Sequence, residues 1–159
     1  ASGACPVQAL LDAGVNVALG TDGAASNNDL DMFAELRSAA LLAKHVAADP
    51  AALPAQAALE MATLGGARAL GLGDQIGSLT PGKWADVISI DWRRPASRPI
   101  YHPISQLAYA TSSQHVRNVW VAGRQLLDNG ELTRLDGDAL MRNADEWAAR
   151  IQHDQEPRA

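Results

Sequence analysis

The chain has 159 residues, 47% of them hydrophobic and 19% charged, so it suits one domain or a large piece of something bigger and is no disordered polyampholyte. Thirteen Lys and Arg against eighteen Asp and Glu give a net charge of -5, which leaves no basic surface for phosphates or anionic lipid and argues against nucleic acid as a partner. The longest apolar stretches, such as Ala39 to Ala43, fall far short of the ~20 residues that cross a bilayer, and a cytoplasmic protein with no membrane partner is expected.

In chain order, a short helix is expected first, with Pro6 in its first turn and Gly14 just past its end. Val15-Asn16-Val17-Ala18-Leu19-Gly20 is too short for a helix and reads as a buried parallel strand. From Asp31 to about Ala47, Phe33, Leu36, Ala40 and Ala43 recur at helical spacing, and Pro50 and Pro54 end that run. A second helical pattern starts at Ala55, passes Leu59 and Met61, is interrupted at Gly65-Gly66 and resumes briefly from Ala67 to Leu70.

The period then changes. Thr80-Pro81-Gly82-Lys83 predicts a type II turn, because Pro presets the first corner and Gly supplies the positive φ of the second. Strands are expected over 85–91, 116–121 and 124–127, the last two joined at Ala122-Gly123 and followed by the tight-turn signal Asp128-Asn129-Gly130. A short helix follows Pro103. A final helix, capped near Asp136 or Asp138, carries Leu140, Ala144, Trp147 and Ile151 on one stripe, which is expected to dock on a domain. Glu146 and Arg150 can pair across one turn of it.

Candidate chemistry is concentrated between Gly20 and Asn28. A carboxylate directly after a buried parallel strand sits where barrels and open α/β sheets place their active sites, which makes Asp22 the prime candidate. Spacing alone is satisfied equally well by a plain strand-to-loop turn at Thr21-Asp22-Gly23. Ser26, Asn27 and Asn28 offer donors and acceptors nearby, although Ser26 or Asn27 could instead cap a helix near Leu30. The four histidines, His45, His102, His115 and His153, are dispersed, and Cys5 is alone, so the chain holds no self-sufficient zinc site. Lys83 and Trp84 read as a solvated lysine and a sheet-packing tryptophan. No nucleophile-elbow context surrounds Ser26.

The run from Val17 to Asn28, with Asp31-Met32 and Glu35 after it, closely resembles the last barrel strand and following loop of the amidohydrolase superfamily. It is most similar to the 5′-methylthioadenosine/S-adenosylhomocysteine deaminase branch, which also contains the triazine hydrolases. Ile76 to Val87 looks like the passage from barrel to β-sandwich, and Val116 to Gly123 and Leu126 to Leu132 resemble the closing sandwich strands. The resemblance implies an α/β fold in three parts: 1–75 as the end of a (β/α)8 TIM barrel, 76–132 as a sandwich segment, and 133–159 as a C-terminal helix and tail. A whole barrel takes about 250 residues, and the Ala1-Ser2-Gly3 start matches the loop after the seventh strand. The chain is therefore expected to be the carboxyl-terminal third of an enzyme.

The same resemblance implies a role for Asp22 as ligand to one divalent metal, most readily Zn, whose histidine ligands lie outside this chain, and as the base for the attacking water. Ser26 and Asn27 are implied in positioning or substrate contact. The implied reaction is hydrolytic deamination of the adenine ring of a small-molecule purine nucleoside, with the chain alone inactive; a homo-oligomer is compatible with the sequence. A guanine or other aminopurine deaminase, a triazine chlorohydrolase and a non-catalytic truncated module stay open as alternatives.

Overall fold

A computed structural model describes residues 3–155; of the Ala1-Ser2-Gly3 start, Ala1 and Ser2 lie outside them. The first part packs helices around an alanine-rich core. α1 (Val7–Asp12) is followed by α2 (Met32–Ala47) and α3 (Ala55–Glu60). Val7, Leu36, Ala40, Ala43, Leu53, Ala58 and Met61 are buried together with Ala108. Small side chains at these contacts let helix backbones approach closely. α2 starts where the sequence expects, because the Asp31 carboxylate accepts the Phe33 N–H at 2.8 Å. It ends in the left-handed residue Ala48, with φ +51.

Gly65-Gly66 does not interrupt the second helix. α3 runs on through a π turn, Met61–Gly65, into α4 (Gly66–Ala69). The reason for Gly65 is close approach: a Cβ there would lie 2.9 Å from the Val17 carbonyl oxygen. The π turn also presents the Met61 carbonyl to the Leu19 N–H at 3.2 Å and the Gly65 carbonyl to the Asn16 amide at 3.0 Å. Those bonds hold the segment 15–20.

That segment corrects an expectation. Val15 to Gly20 is neither a paired strand nor buried; Val15 is 47% exposed. A lone extended segment has no ladder unless another strand lies beside it, and none does among the described residues.

The second part is a four-stranded antiparallel sheet in the order β1-β2-β3-β4, formed by β1 (Val87–Ile90), β2 (Val116–Val121), β3 (Arg124–Asp128) and β4 (Glu131–Leu132). Ala122 and Gly123 have φ of +49 and +76, and Asn129 and Gly130 have +50 and +92. Paired positive φ values match the right-handed twist of the strands each turn joins. The Thr80 turn also forms, with the Lys83 N–H donating to the Thr80 carbonyl at 3.2 Å and Gly82 at φ +93. Lys83 is only partly exposed, not a freely solvated side chain. Its ammonium donates to the carbonyls of Gly73 and of Ile76, tying the end of the helical part to the turn. Trp84 is 56% exposed and does not pack as a sheet tryptophan.

Polar contacts clamp the two parts together. α5 (Pro103–Ala110), the helix expected after Pro103, leads into Thr111, which is fully buried. The Thr111 carbonyl accepts from Arg37 at 2.9 Å, and its hydroxyl accepts from the Trp92 indole at 3.1 Å. Asp31, 9% exposed, accepts the Ser113 N–H at 3.0 Å on the oxygen that does not cap α2.

Burial works to raise the Asp31 carboxyl, but hydrogen bonds from Ser113 and from the Phe33 and Ala34 backbone outweigh it and hold the group below its ordinary range. Asp31→Ala removes a cap and strands the Ser113 N–H, so unfolding in urea is expected to show a loss of about 2 kcal/mol. The folded carboxyl is depressed, so its stabilisation is present above about pH 4 and is lost as pH falls through the folded value. The gap between wild type and Asp31→Ala should accordingly narrow in acid.

α6 (Gly137–Gln155) begins at an Asp136 cap, whose carboxylate accepts the Ala139 N–H at 3.0 Å. Its apolar stripe is not docked as expected. Leu140, Trp147 and Ile151 are 46%, 61% and 54% exposed, because no other described element faces the stripe. Arg150 lies 5.1 Å above the Trp147 ring and 4.0 Å from Glu146; exposed contacts of this kind contribute only tenths of a kcal/mol.

Candidate active site

Asp22 stands where the extended segment 15–20 ends, with φ +60. Aspartate tolerates this left-handed backbone better than most residues, since its short side chain can bond locally. One carboxylate oxygen accepts the Gly23 N–H at 2.7 Å, and the other accepts the Ser26 hydroxyl at 2.6 Å. Ser26 first, and Gly23 second, hold the Asp22 carboxyl below its ordinary range. It is therefore anionic at neutral pH.

The side chain is exposed, and no Lys, Arg or His among the described residues forms an ion pair with it. Each oxygen holds a single donor, so lone pairs remain for water or a cation. The turn behind it is closed by the Ser26 and Asn27 N–H groups, both donating to the Gly23 carbonyl at 3.0 Å.

Of the residues expected around Asp22, Ser26 touches it and Asn27 does not. The Asn27 amide instead donates to the Thr21 carbonyl at 2.9 Å and to the Glu35 carboxylate on α2 at 2.9 Å. Neither Ser26 nor Asn27 caps α2, which is the work of Asp31. Glu35 accompanies the run that resembles the family, but the sequence assigns it no role at Asp22, because a glutamate in the first turn of a helix is sufficiently explained by the helix dipole. Its link to Asn27 requires the loop to fold back over the helix.

A hard or borderline divalent cation suits the Asp22 donor set, a free anionic carboxylate with no competing cation. One carboxylate is too few to hold it. Among the described residues no group of three or more His, Cys, Asp or Glu could bind a metal. His115 is already occupied, accepting the Ser112 N–H at 3.2 Å on Nδ1, and His45 and His102 are exposed and isolated.

Residues 1–126 match the amidohydrolase family. The chain belongs to that family. This amidohydrolase chain is 55% identical over 151 residues to a 5-methylthioadenosine/S-adenosylhomocysteine deaminase of Teredinibacter turnerae, covering 95% of this chain and 34% of the relative. Among solved structures it is similar to an adenosine deaminase from Xanthomonas campestris with bound Zn, at 53% identity and a TM-score of 0.93, covering 96% of this chain and 35% of the other. It also resembles the zinc complex of the atrazine chlorohydrolase TrzN from Arthrobacter aurescens, at 32% identity and a TM-score of 0.78, over 89% of this chain and 31% of TrzN. The amidohydrolase chain thus spans about a third of the length of the curated relatives it matches.

Proposed function

We propose that the whole protein is a metal-dependent hydrolytic deaminase of adenine nucleosides of the 5′-methylthioadenosine and S-adenosylhomocysteine type, and that this chain supplies one carboxylate of its active site. The observation that carries the reading is the likeness, along nearly the whole chain, to a deaminase named for those substrates. The arrangement at Asp22 supports it. The carboxylate is anionic, reachable from solvent, and held by Ser26 and Gly23 on sides that leave lone pairs open.

In this reading 1–75 ends a barrel, 76–132 belongs to a small β-sandwich and 133–159 is a terminal helix and tail. The segment 15–20 is the last barrel strand, which explains its extended backbone and its lack of a partner here. Asp22 is the one protein ligand this chain gives to a divalent metal, and zinc fits best because the two similar structures contain it. Such an ion, when bound, lowers the pKa of water towards ~7 and makes it a nucleophile at neutral pH.

The chain's own work is to hold that water and move its proton. Asp22 orients the attacking water towards the amino-bearing carbon of the adenine ring and accepts its proton. Ser26 fixes the carboxylate by its hydroxyl. As the carbon–nitrogen bond breaks, a proton returned to the amine lets ammonia leave, and the ring keeps the water oxygen. In this reading the substrate is a small-molecule nucleoside and the location is cytoplasmic.

Ammonia release by the intact enzyme tests the reading. Release from 5′-methylthioadenosine and S-adenosylhomocysteine is the expected result. Turnover of guanine alone, or of a chlorotriazine alone, would overturn the substrate class while leaving the family untouched.

A further inference from the structure

We propose that Glu35 is a positioning residue for the reaction, acting through Asn27 to fix the backbone that aims Asp22; this rests on the deaminase reading. Three bonds converge on one side chain. The Asn27 amide nitrogen donates to Thr21 O at 2.9 Å and to Glu35 Oε1 at 2.9 Å, and its oxygen accepts the Asp29 N–H at 3.2 Å. Two acceptors at the nitrogen and a donor at the oxygen allow a single orientation of the amide.

Thr21 is the residue directly before Asp22, so its carbonyl belongs to the peptide unit that sets the Asp22 φ of +60. Asn27 is also the residue whose N–H closes the turn on Gly23. The side chain therefore fastens both ends of the loop, and Glu35 fastens the side chain to α2. That helix is itself fixed by buried Leu36, Ala40 and Ala43. A loop made of Gly23, Ala24, Ala25 and Ser26 has little packing of its own, and all four residues are exposed. Rigidity at Asp22 must come from scaffold elements: the Met61 and Gly65 carbonyls hold the segment before it, and Glu35 is where α2 holds the loop after it, through Asn27.

Without the Glu35 carboxylate, Asn27 keeps its bond to Thr21 but loses the anchor that fixes both to the helix. Asp22 then samples geometries in which its carboxylate no longer meets the attacking water. Such misplacement acts on the chemical step more than on binding of the nucleoside.

The test uses the intact enzyme, with kinetics on 5′-methylthioadenosine and hydrogen exchange at the Ser26 and Asn27 amides. Glu35→Ala should lower kcat about 10-fold or more with KM within about twofold, and both amides should exchange faster. Glu35→Gln, which keeps an acceptor oxygen, should restore both. Asn27→Ala should reproduce the loss, and the double variant should be no worse than Asn27→Ala, since the two residues act in series. If Glu35→Ala gives no folded protein, Asn27→Ala and Glu35→Gln carry the same comparison. A defect confined to KM, additive losses, or a Glu35→Gln variant as poor as Glu35→Ala would overturn the proposal. If the wild-type enzyme releases no ammonia, the deaminase reading fails, and the exchange rates alone decide whether the Glu35–Asn27 brace exists.

Discussion

Asp22→Asn in the intact enzyme is expected to lower kcat by about 100- to 10,000-fold, the usual contribution of proton transfer by a positioned carboxylate, with the fold unchanged. Asparagine is the informative replacement because it shares with aspartate a tolerance for the left-handed backbone at φ +60. Its amide oxygen can still accept the Gly23 N–H, and the Ser26 hydroxyl can rotate to accept from the new amide nitrogen. What disappears is the negative charge and the ability to take a proton. Thermal unfolding should be nearly unmoved while turnover collapses. An Asp22→Asn enzyme retaining most of its activity would remove Asp22 from the chemistry and return Thr21-Asp22-Gly23 to the status of a turn.

How much of this is legible in the sequence differs between local and long-range features. The helix at Met32, the Pro81-Gly82 turn and both glycine turns of the sheet are readable, since each depends on a side chain bonding or constraining its own neighbours. Gly65 misleads because a glycine in a helical pattern looks the same whether it breaks the helix or admits another backbone. Only the Val17 carbonyl beside it distinguishes the two. Lys83 misleads for a related reason: its carbonyl partners at Gly73 and Ile76 come from the end of the preceding helical part, and an isolated lysine beside a turn gives no sign of them.

The candidate site divides the same way. Asp22 is legible because a carboxylate after an apolar extended run is a local pattern, and Ser26 lies within reach of it. Glu35 and the Asp31 bond to Ser113 are not, the latter spanning 82 positions. Two of the overturned burial expectations, at 15–20 and on α6, have one cause. The 15–20 segment and the α6 stripe are apolar patterns that the described residues cover only in part, at Val17 and Leu19, or leave exposed, at Val15, Leu140, Trp147 and Ile151. Pattern reports what a surface requires, while burial depends on which other atoms are present.

Gly77→Ala is expected to destabilise the protein by about 3 kcal/mol, because two independent costs meet at one atom. Gly77 has φ +85, and a Cβ built there would lie 2.7 Å from the Ala67 Cβ and 2.9 Å from the Leu64 Cα. Neither neighbour is the end of a flexible side chain; Ala67 and Leu64 sit on the continuous helix that carries the π turn, so relief requires moving that helix. The positive φ alone costs about 1–2 kcal/mol in an L residue, partly offset by about 0.4–1 kcal/mol from the reduced freedom of the unfolded chain. Overpacking adds about 1–3 kcal/mol. Gly82 provides the control: it has φ +93, but a Cβ added there would meet nothing within 4 Å, so Gly82→Ala carries the backbone cost without the clash. Equal losses for the two variants in equilibrium unfolding would show that close approach at Gly77 contributes nothing. A larger loss at Gly77 shows the joint between helix and sheet to be set by backbone contact. Because that helix also holds the segment leading to Asp22 through the Met61 and Gly65 carbonyls, Gly77→Ala should loosen the approach to the carboxylate as well. Faster exchange of the Leu19 N–H would report it.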